Sequence, residues 1–263
     1  MKYRLLAADY DLTLTGPDHR VTERTRAAIL RVFEAGNYVT LATGRLWAGA
    51  KSAVSLFPEG VPLILCNGGV LRRSGSGEIL YEQLMGDADA RTVLDWCAGF
   101  EGAAMLWNRE GLFSDRFNEA TEVYTRLSGN TPRPLAPEDA SRAGVYKILL
   151  LARADTVARA RAQLKSASWA AVDCFTSSPE MLEIVPRGVN KGSGLEACAR
   201  LLGLDRAETM AVGDGENDIP MLRAAGLGVA MGNADETVKA AAALVAPPCQ
   251  RDGAAWLMEN YLI

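Results

Sequence analysis

The chain of 263 residues contains a single histidine, His19, set in a polar Gly-Pro-Asp-His turn. That scarcity argues against mechanisms built on a histidine base, a Ser-His-Asp triad included. The five cysteines, Cys66, Cys97, Cys174, Cys198 and Cys249, are scattered and form no Cys-x-x-Cys pair. Neither a disulfide framework nor a structural zinc site is expected, and a reducing cytoplasm suits free thiols of this kind. No apolar run reaches the length of a membrane span, and no cluster of Lys and Arg forms a polyanion-binding stripe. With a formal net charge of -4, these absences exclude membrane and nucleic acid as expected partners. Met1-Lys2 runs directly into a strand-like segment, leaving no space for a secretory signal. No internal repeat or long disordered tract is visible.

What is present is apolar residue: 49% of the chain is hydrophobic, enough to build one large domain or two modest ones. Short apolar runs alternate with helix-like segments at the start, as in a parallel sheet flanked by helices. "YRLLAADYD" reads as a buried strand, and Thr22 as the N-cap of "ERTRAAILRVFEAG", whose Ile29, Val32 and Phe33 form an apolar stripe. "YVTLATG" is the second strand, "LWAGAKSAVSLF" a helix, "VPLILCNGG" the third strand and "VLRRSGSGEILYEQLM" a hairpin. The rhythm then changes. Residues 86–187 read as helix, two strands, helix, strand, helix, two strands, which predicts an inserted α/β layer between core segments 1–85 and 188–263. Within it "DADARTVLDWCAGF" and "DTVARARAQLKSAS" are amphipathic helices. From Asn190 the original alternation resumes, so the two outer segments are expected to share one sheet.

In open parallel α/β sheets, ligands bind beyond the carboxyl ends of the strands, and the polar clusters fall there. Asp9 and Asp11 follow the first strand, Thr43-Gly44-Arg45 the second and Asn67-Gly68-Gly69 the third. Asp214 to Asp218 and Gly232-Asn233 follow later ones. Taken singly, each has an ordinary explanation: an aspartate after a strand is commonly a turn residue or helix cap. Thr43 could be a cap, Arg45 a solvated charge and Lys191 a surface residue, although a cation near a helix start is mildly unfavourable. "GDGEND" is harder to dismiss, because clustered carboxylates repel unless a cation or proton is present. Together the clusters are more specific than any part. Several carboxylates at one sheet edge require positive charge, and an oxygen-only donor set suits Mg²⁺.

"DYDLTLT", "LATGR", "VPRGVNKGSGL" and "VGDGENDIPML" occur in the order and approximate spacing of the four motifs of the haloacid dehalogenase superfamily of phosphohydrolases, which this chain resembles. "MLEIVPRGVNKG" and the large insert are similar to its Cof-type branch, which also holds sugar-phosphate and archaeal phosphoglycolate phosphatases. The resemblance implies a Rossmann-like α/β core with an inserted α+β cap that closes as a mobile lid and selects substrate. It also implies Mg²⁺-dependent hydrolysis of a small phosphorylated metabolite. Asp9 would be the nucleophile and Asp11 the proton donor and acceptor. Mg²⁺ would be held by Asp9, the Asp11 main-chain carbonyl and Asp214, with Asp218 a ligand through water or one layer behind. Thr43, Gly44, Lys191 and Asn217 would bind phosphoryl oxygens, and Arg45 substrate or cap. A phosphomutase of the phosphomannomutase type and a non-enzymatic phosphate-binding module are the alternatives. One departure stands out: Leu12 occupies a position where the family commonly has glycine, and a positive φ there would strain it. Trp107, Arg109, Arg116, Tyr124 and Lys147 are candidate substrate contacts in the insert, none singled out. The oligomeric state is expected to be monomer or homodimer.

Overall fold

The computed structural model of the chain describes residues 2–136, 138–166 and 169–263. Strand β1 (Leu5–Ala8) is buried along its whole length, as an interior strand of a parallel sheet must be. After a wide turn, α1 (Glu23–Glu34) starts where expected: the Thr22 hydroxyl accepts from the Thr25 N–H at 3.1 Å. Its buried Ala28, Ile29 and Val32 lie on one side. Strand β2 (Tyr38–Leu41) follows. The helix expected over "LWAGAKSAVSLF" is much shorter, a 3₁₀ turn at Ala48–Ala50 leading into α2 (Lys51–Val54). No side chain caps either start, and Gly49 interrupts the segment, so little favours a longer helix.

Strand β3 (Pro62–Leu65) forms an antiparallel three-stranded sheet with β4 (Val70–Arg73) and β5 (Ile79–Glu82). Its backbone pairing with the parallel sheet, among the described residues, is the bridge between Ala42 and Ile64 and not a full ladder. Pro62 has no N–H to offer a ladder, and its carbonyl accepts instead from the Thr40 hydroxyl at 2.6 Å.

The chain next builds α3 (Asp87–Ala98), β6 (Ala103–Asn108), β7 (Gly111–Ser114), α4 (Glu119–Ser128), β8 (Arg133–Pro134), α5 (Asp139–Arg142), β9 (Val145–Leu151), α6 (Ala154–Ser166), β10 (Val172–Ser178) and β11 (Met181–Pro186). Six strands pair in the order β10-β11-β9-β6-β7-β8. Val93 and Cys97 of α3 and Val157, Ala160 and Leu164 of α6 pack on Leu106, Ile148, Leu150, Leu182 and Ile184. Alternation along the strands puts Trp107, Lys147 and Glu183 on the opposite face of that sheet. The last two residues of the expected helix "DTVARARAQLKSAS", Ala167 and Ser168, lie outside the described residues.

The remainder supplies α7 (Lys191–Leu201), β12 (Thr209–Gly213), α8 (Ile219–Ala224), β13 (Leu227–Ala230), α9 (Glu236–Ala240), β14 (Leu244–Val245) and α10 (Gly253–Tyr261). Strands β14-β13-β12-β1-β2 form one sheet with every neighbouring pair parallel. The chain therefore has an α/β, Rossmann-like core and an inserted α+β region. Two compact units result, one of the chain to Glu82 with Asn190–Ile263, the other of Gln83–Val189. The insert starts slightly before residue 86 because the Met85 N–H donates to the Val145 carbonyl at 2.8 Å and the Gln83 amide to that of Arg187 at 2.9 Å. Among the described residues, no helix is long and apolar enough to cross a membrane.

Candidate active site

The first unit brings the polar residues that follow β1, β2, β3, β12 and β13 to the carboxyl edge of its strands, together with the start of α7. Asn190 caps that helix: its side chain accepts from the N–H groups of Gly192 and Ser193 at 2.9 and 3.0 Å, while the Ser193 hydroxyl accepts from the Asn190 N–H at 3.1 Å. Lys191, the first helical residue, is thereby fixed with its side chain 1% exposed. Its ammonium lies 2.6 Å from Asp9 Oδ1 and 2.6 Å from Asp218 Oδ1. The cation that the helix dipole disfavours is held by two carboxylates. They raise its pKa, outweighing the burial that opposes the charge.

Asp218 is fully buried, and its second oxygen accepts from the N–H groups of Asp214 and Gly215 at 3.0 and 2.9 Å. It folds the "GDGEND" loop around itself. Asp214 accepts from the Thr13 hydroxyl at 3.2 Å and from the Asn233 amide at 3.4 Å. Burial, with Asp218 adding repulsion, pushes Asp214 up to about 6, against the Thr13 hydrogen bond and Lys191. Asp9 is pushed up to about 8, first by burial and then by Asp218 and Asp214, with Lys191 opposing. Oxygens of Asp9, Asp214 and Asp218 all lie within 4.8 Å of one another. Three carboxylates around one ammonium leave excess negative charge in a buried place. Hard oxygen donors of this number and spacing fit Mg²⁺.

Asp11 and Arg45 are brought together in a way the sequence did not predict. The Arg45 guanidinium grips the Asp11 carboxylate with contacts of 2.8 to 3.2 Å, lies 5.2 Å from the Tyr10 ring centre, and reaches the Gly49 carbonyl at 3.4 Å. Expected on phosphate or cap, it is held by Asp11 here. His19 Nδ1 is 3.5 Å from the same carboxylate. Thr43 is buried, and its hydroxyl accepts from the Arg45 N–H at 3.3 Å. The Asn217 amide donates to Asn67 Oδ1 at 3.2 Å, and Gly44 lies against the same Asn67 side chain.

The question raised by Leu12 has a definite answer: its φ is 57° and ψ 13°, the left-handed region in which glycine is unstrained. Two bonds hold it there. Its N–H donates to the Thr15 hydroxyl at 3.1 Å, and its carbonyl accepts from the Asn233 amide at 3.0 Å. Asn233 thus ties the first turn to Asp214. Sequence reasoning placed Asn67 and Asn233 in polar clusters at strand ends but gave them no role, and Thr13 likewise; their position after β3, β13 and β1 was the available signal. In the second unit, Arg116 binds the main-chain carbonyls of Phe100, Gly102 and Ala98, a structural task. Lys147 pairs with Glu183 at 2.8 Å, 4.4 Å from the centre of the Trp107 ring, which in turn packs edge-on with Tyr124.

Residues 6–258 match the family of haloacid dehalogenase-like hydrolases. The HMP-PP phosphatase of Serratia proteamaculans is 33% identical over 88% of this chain and 85% of its own length. A haloacid dehalogenase-like hydrolase from Bacteroides thetaiotaomicron superposes with a TM-score of 0.85 at 28% identity, covering 98% of this chain and 99% of that one. A second protein of that organism, described among phosphatases of the haloalkanoate enzyme superfamily, gives a TM-score of 0.86 at 26% identity, covering 98% and 94%.

Proposed function

The chain belongs to the haloacid dehalogenase-like hydrolases, and from that premise we propose that it is a Mg²⁺-dependent phosphatase of a small phosphorylated metabolite, working through an aspartyl phosphate on Asp9. The observation that carries this reading is the buried cluster in which Asp9, at the end of β1, shares Lys191 with the Asp214–Asp218 loop. The named phosphatases among the relatives support it.

In this reading an Asp9 carboxylate oxygen attacks phosphorus, the bond from phosphorus to the leaving oxygen breaks, and Asp11 gives that oxygen a proton. A water then attacks phosphorus and loses a proton to Asp11, and the bond to Asp9 breaks. Free phosphate leaves and Asp9 is restored. Arg45 orients the Asp11 carboxylate through its forked contact. Two of the three Lys191 ammonium protons are taken by Asp9 and Asp218, which leaves one for a phosphoryl oxygen. Thr43, the Gly44 N–H and the Asn217 amide complete the cradle. Asp9, the Asp11 carbonyl and Asp214 would hold Mg²⁺, with Asp218 behind them because its oxygens already serve Lys191 and two main-chain N–H groups. Bound there, the ion offsets the repulsion between anionic carboxylate and anionic phosphate. Residues 83–189 act as the selector of the substrate's leaving group.

The test is a panel of phosphometabolites assayed with and without Mg²⁺, alongside a folded Asp9→Asn variant. Release of phosphate that needs both Mg²⁺ and Asp9 is expected. Undiminished hydrolysis by Asp9→Asn would remove Asp9 from the nucleophile's role.

A further inference from the structure

At the end of β3 the backbone does something costly. Cys66, Asn67 and Gly68 take φ values of 50°, 55° and 97° in succession, all three buried. For Gly68 the left-handed conformation is free, and a side chain there would collide with the Asn190 carbonyl beside α7. Cys66 has no such freedom and Asn67 only part of it, and a left-handed non-glycine residue stores strain that persists where the surroundings enforce it. The enforcing contacts are visible: the Cys66 N–H donates to the Arg45 carbonyl at 3.1 Å and the Asn67 N–H to the Thr43 carbonyl at 3.0 Å. Both partners lie in the Thr43-Gly44-Arg45 segment.

The result is the placement of one amide. Asn67 is 2% exposed, and its side chain packs on Gly44. A Cβ at Gly44 would stand 3.1 Å from Asn67 Nδ2, so the close approach uses glycine's missing side chain. Its Oδ1 accepts from Asn217 Nδ2 at 3.2 Å, and among the described residues that is the one hydrogen bond the Asn67 side chain makes. A buried asparagine ordinarily spends several bonds on its own satisfaction. This one spends its single bond on a residue carried by a loop 150 positions away in sequence.

We infer that Asn67 is a positioning residue for phosphate binding: it locks the Asn217 amide beside Gly44, so that one Asn217 N–H is anchored and the other is left for a phosphoryl oxygen. The inference rests on the phosphatase reading above, which gives Asn217 and Gly44 their role; it adds the residue that couples them. Preorganised donors gain their value from being held in place before the ligand arrives.

The experiment is a double-mutant cycle on the Mg²⁺-loaded full chain, with Asn67→Gly, Asn217→Ala and the pair together, read as the affinity for inorganic phosphate by calorimetry and as kcat and KM on a hydrolysed ester. Asn67→Gly keeps the left-handed backbone while removing the amide. Each single change is expected to weaken phosphate binding about tenfold, the scale of a hydrogen bond to a charged group. The pair should be no more than about twofold weaker than Asn217→Ala alone, because residues acting through one another are not additive. Multiplying losses, or unchanged affinity in Asn67→Gly, would overturn the inference while leaving hydrolysis by the parent intact. A parent chain that neither binds phosphate nor hydrolyses esters would overturn both readings. If Asn67→Gly does not fold, hydrogen exchange of the Asn217 side-chain amide in the parent chain takes its place: protection before phosphate is added is expected, and exchange as fast as that of an exposed amide would overturn the inference.

Discussion

Replacing Lys191 by methionine keeps the stem of the side chain and deletes the ammonium that sits 2.6 Å from both Asp9 and Asp218. Lys191 is 1% exposed, so water does not replace it. Breaking a buried pair in this way leaves uncompensated charge and costs about 3–5 kcal/mol. Asp9, already pushed up to about 8 by its burial, takes up a proton more readily than an ordinary carboxyl. That holds the loss near the lower end, about 3 kcal/mol, still a large share of the roughly 5–15 kcal/mol that keeps a protein folded. At about 2–4 °C per kcal/mol for a chain of this size, the Tm should fall by roughly 6–12 °C without metal. Calorimetric melting of parent and variant in chelator, then in a Mg²⁺ series, measures both halves of the argument. With the ammonium gone, the divalent ion competes only with the proton on Asp9, so Mg²⁺ should raise the Tm of the variant more than that of the parent. Phosphatase turnover should be lost in either buffer. A metal-free variant melting within about 1 °C of the parent, or one less responsive to Mg²⁺, would refute the account of this cluster.

At Leu12, the 57° φ reverses the usual order of two small residues. Leu12→Gly should be more stable than Leu12→Ala by about 0.5–1 kcal/mol, the left-handed strain exceeding glycine's entropic cost, whereas an ordinary φ would favour alanine; urea midpoints decide. In the second unit, the Lys147–Glu183 pair is buried on both sides and backed by Trp107 and by the Ser177 hydroxyl at 3.0 Å from Glu183. Glu183→Leu alone should destabilise by about 3 kcal/mol or more, while Lys147→Met with Glu183→Leu should recover most of that loss in the same melts. Equal losses in the single and double variants would contradict the pairing.

Much of the core was legible because it rests on local rules. Buried apolar runs gave the strands, Thr22 gave a helix start through its hydroxyl, and the polar residues at strand ends pointed to the sheet edge where ligands collect. Two things escaped for physical reasons. The helix expected at Leu46–Phe57 overvalued an apolar pattern that lacks a capping residue and is broken by Gly49. The partner of Arg45 could not be read from spacing, since a guanidinium reaches several neighbours and only the folded turn decides that Asp11 takes it. Asn67 was recognisable as a strand-end residue, whereas its hydrogen bond from Asn217 follows from no local pattern. Leu12 shows the reverse: the sequence posed the question of a positive φ, and the turn, fastened by Thr15 and Asn233, answered it.

The central claim is that Asp9 takes the phosphoryl group before water does. Its most direct test is the stereochemical course at phosphorus, followed with a phosphorothioate ester made chiral by sulfur and two oxygen isotopes and hydrolysed by the Mg²⁺-loaded chain in water of the third isotope. Two successive in-line displacements, first by Asp9 and then by water, predict net retention. Net inversion would mean that water attacks the substrate directly, and would contradict the aspartyl phosphate and the division of labour between Asp9 and Asp11.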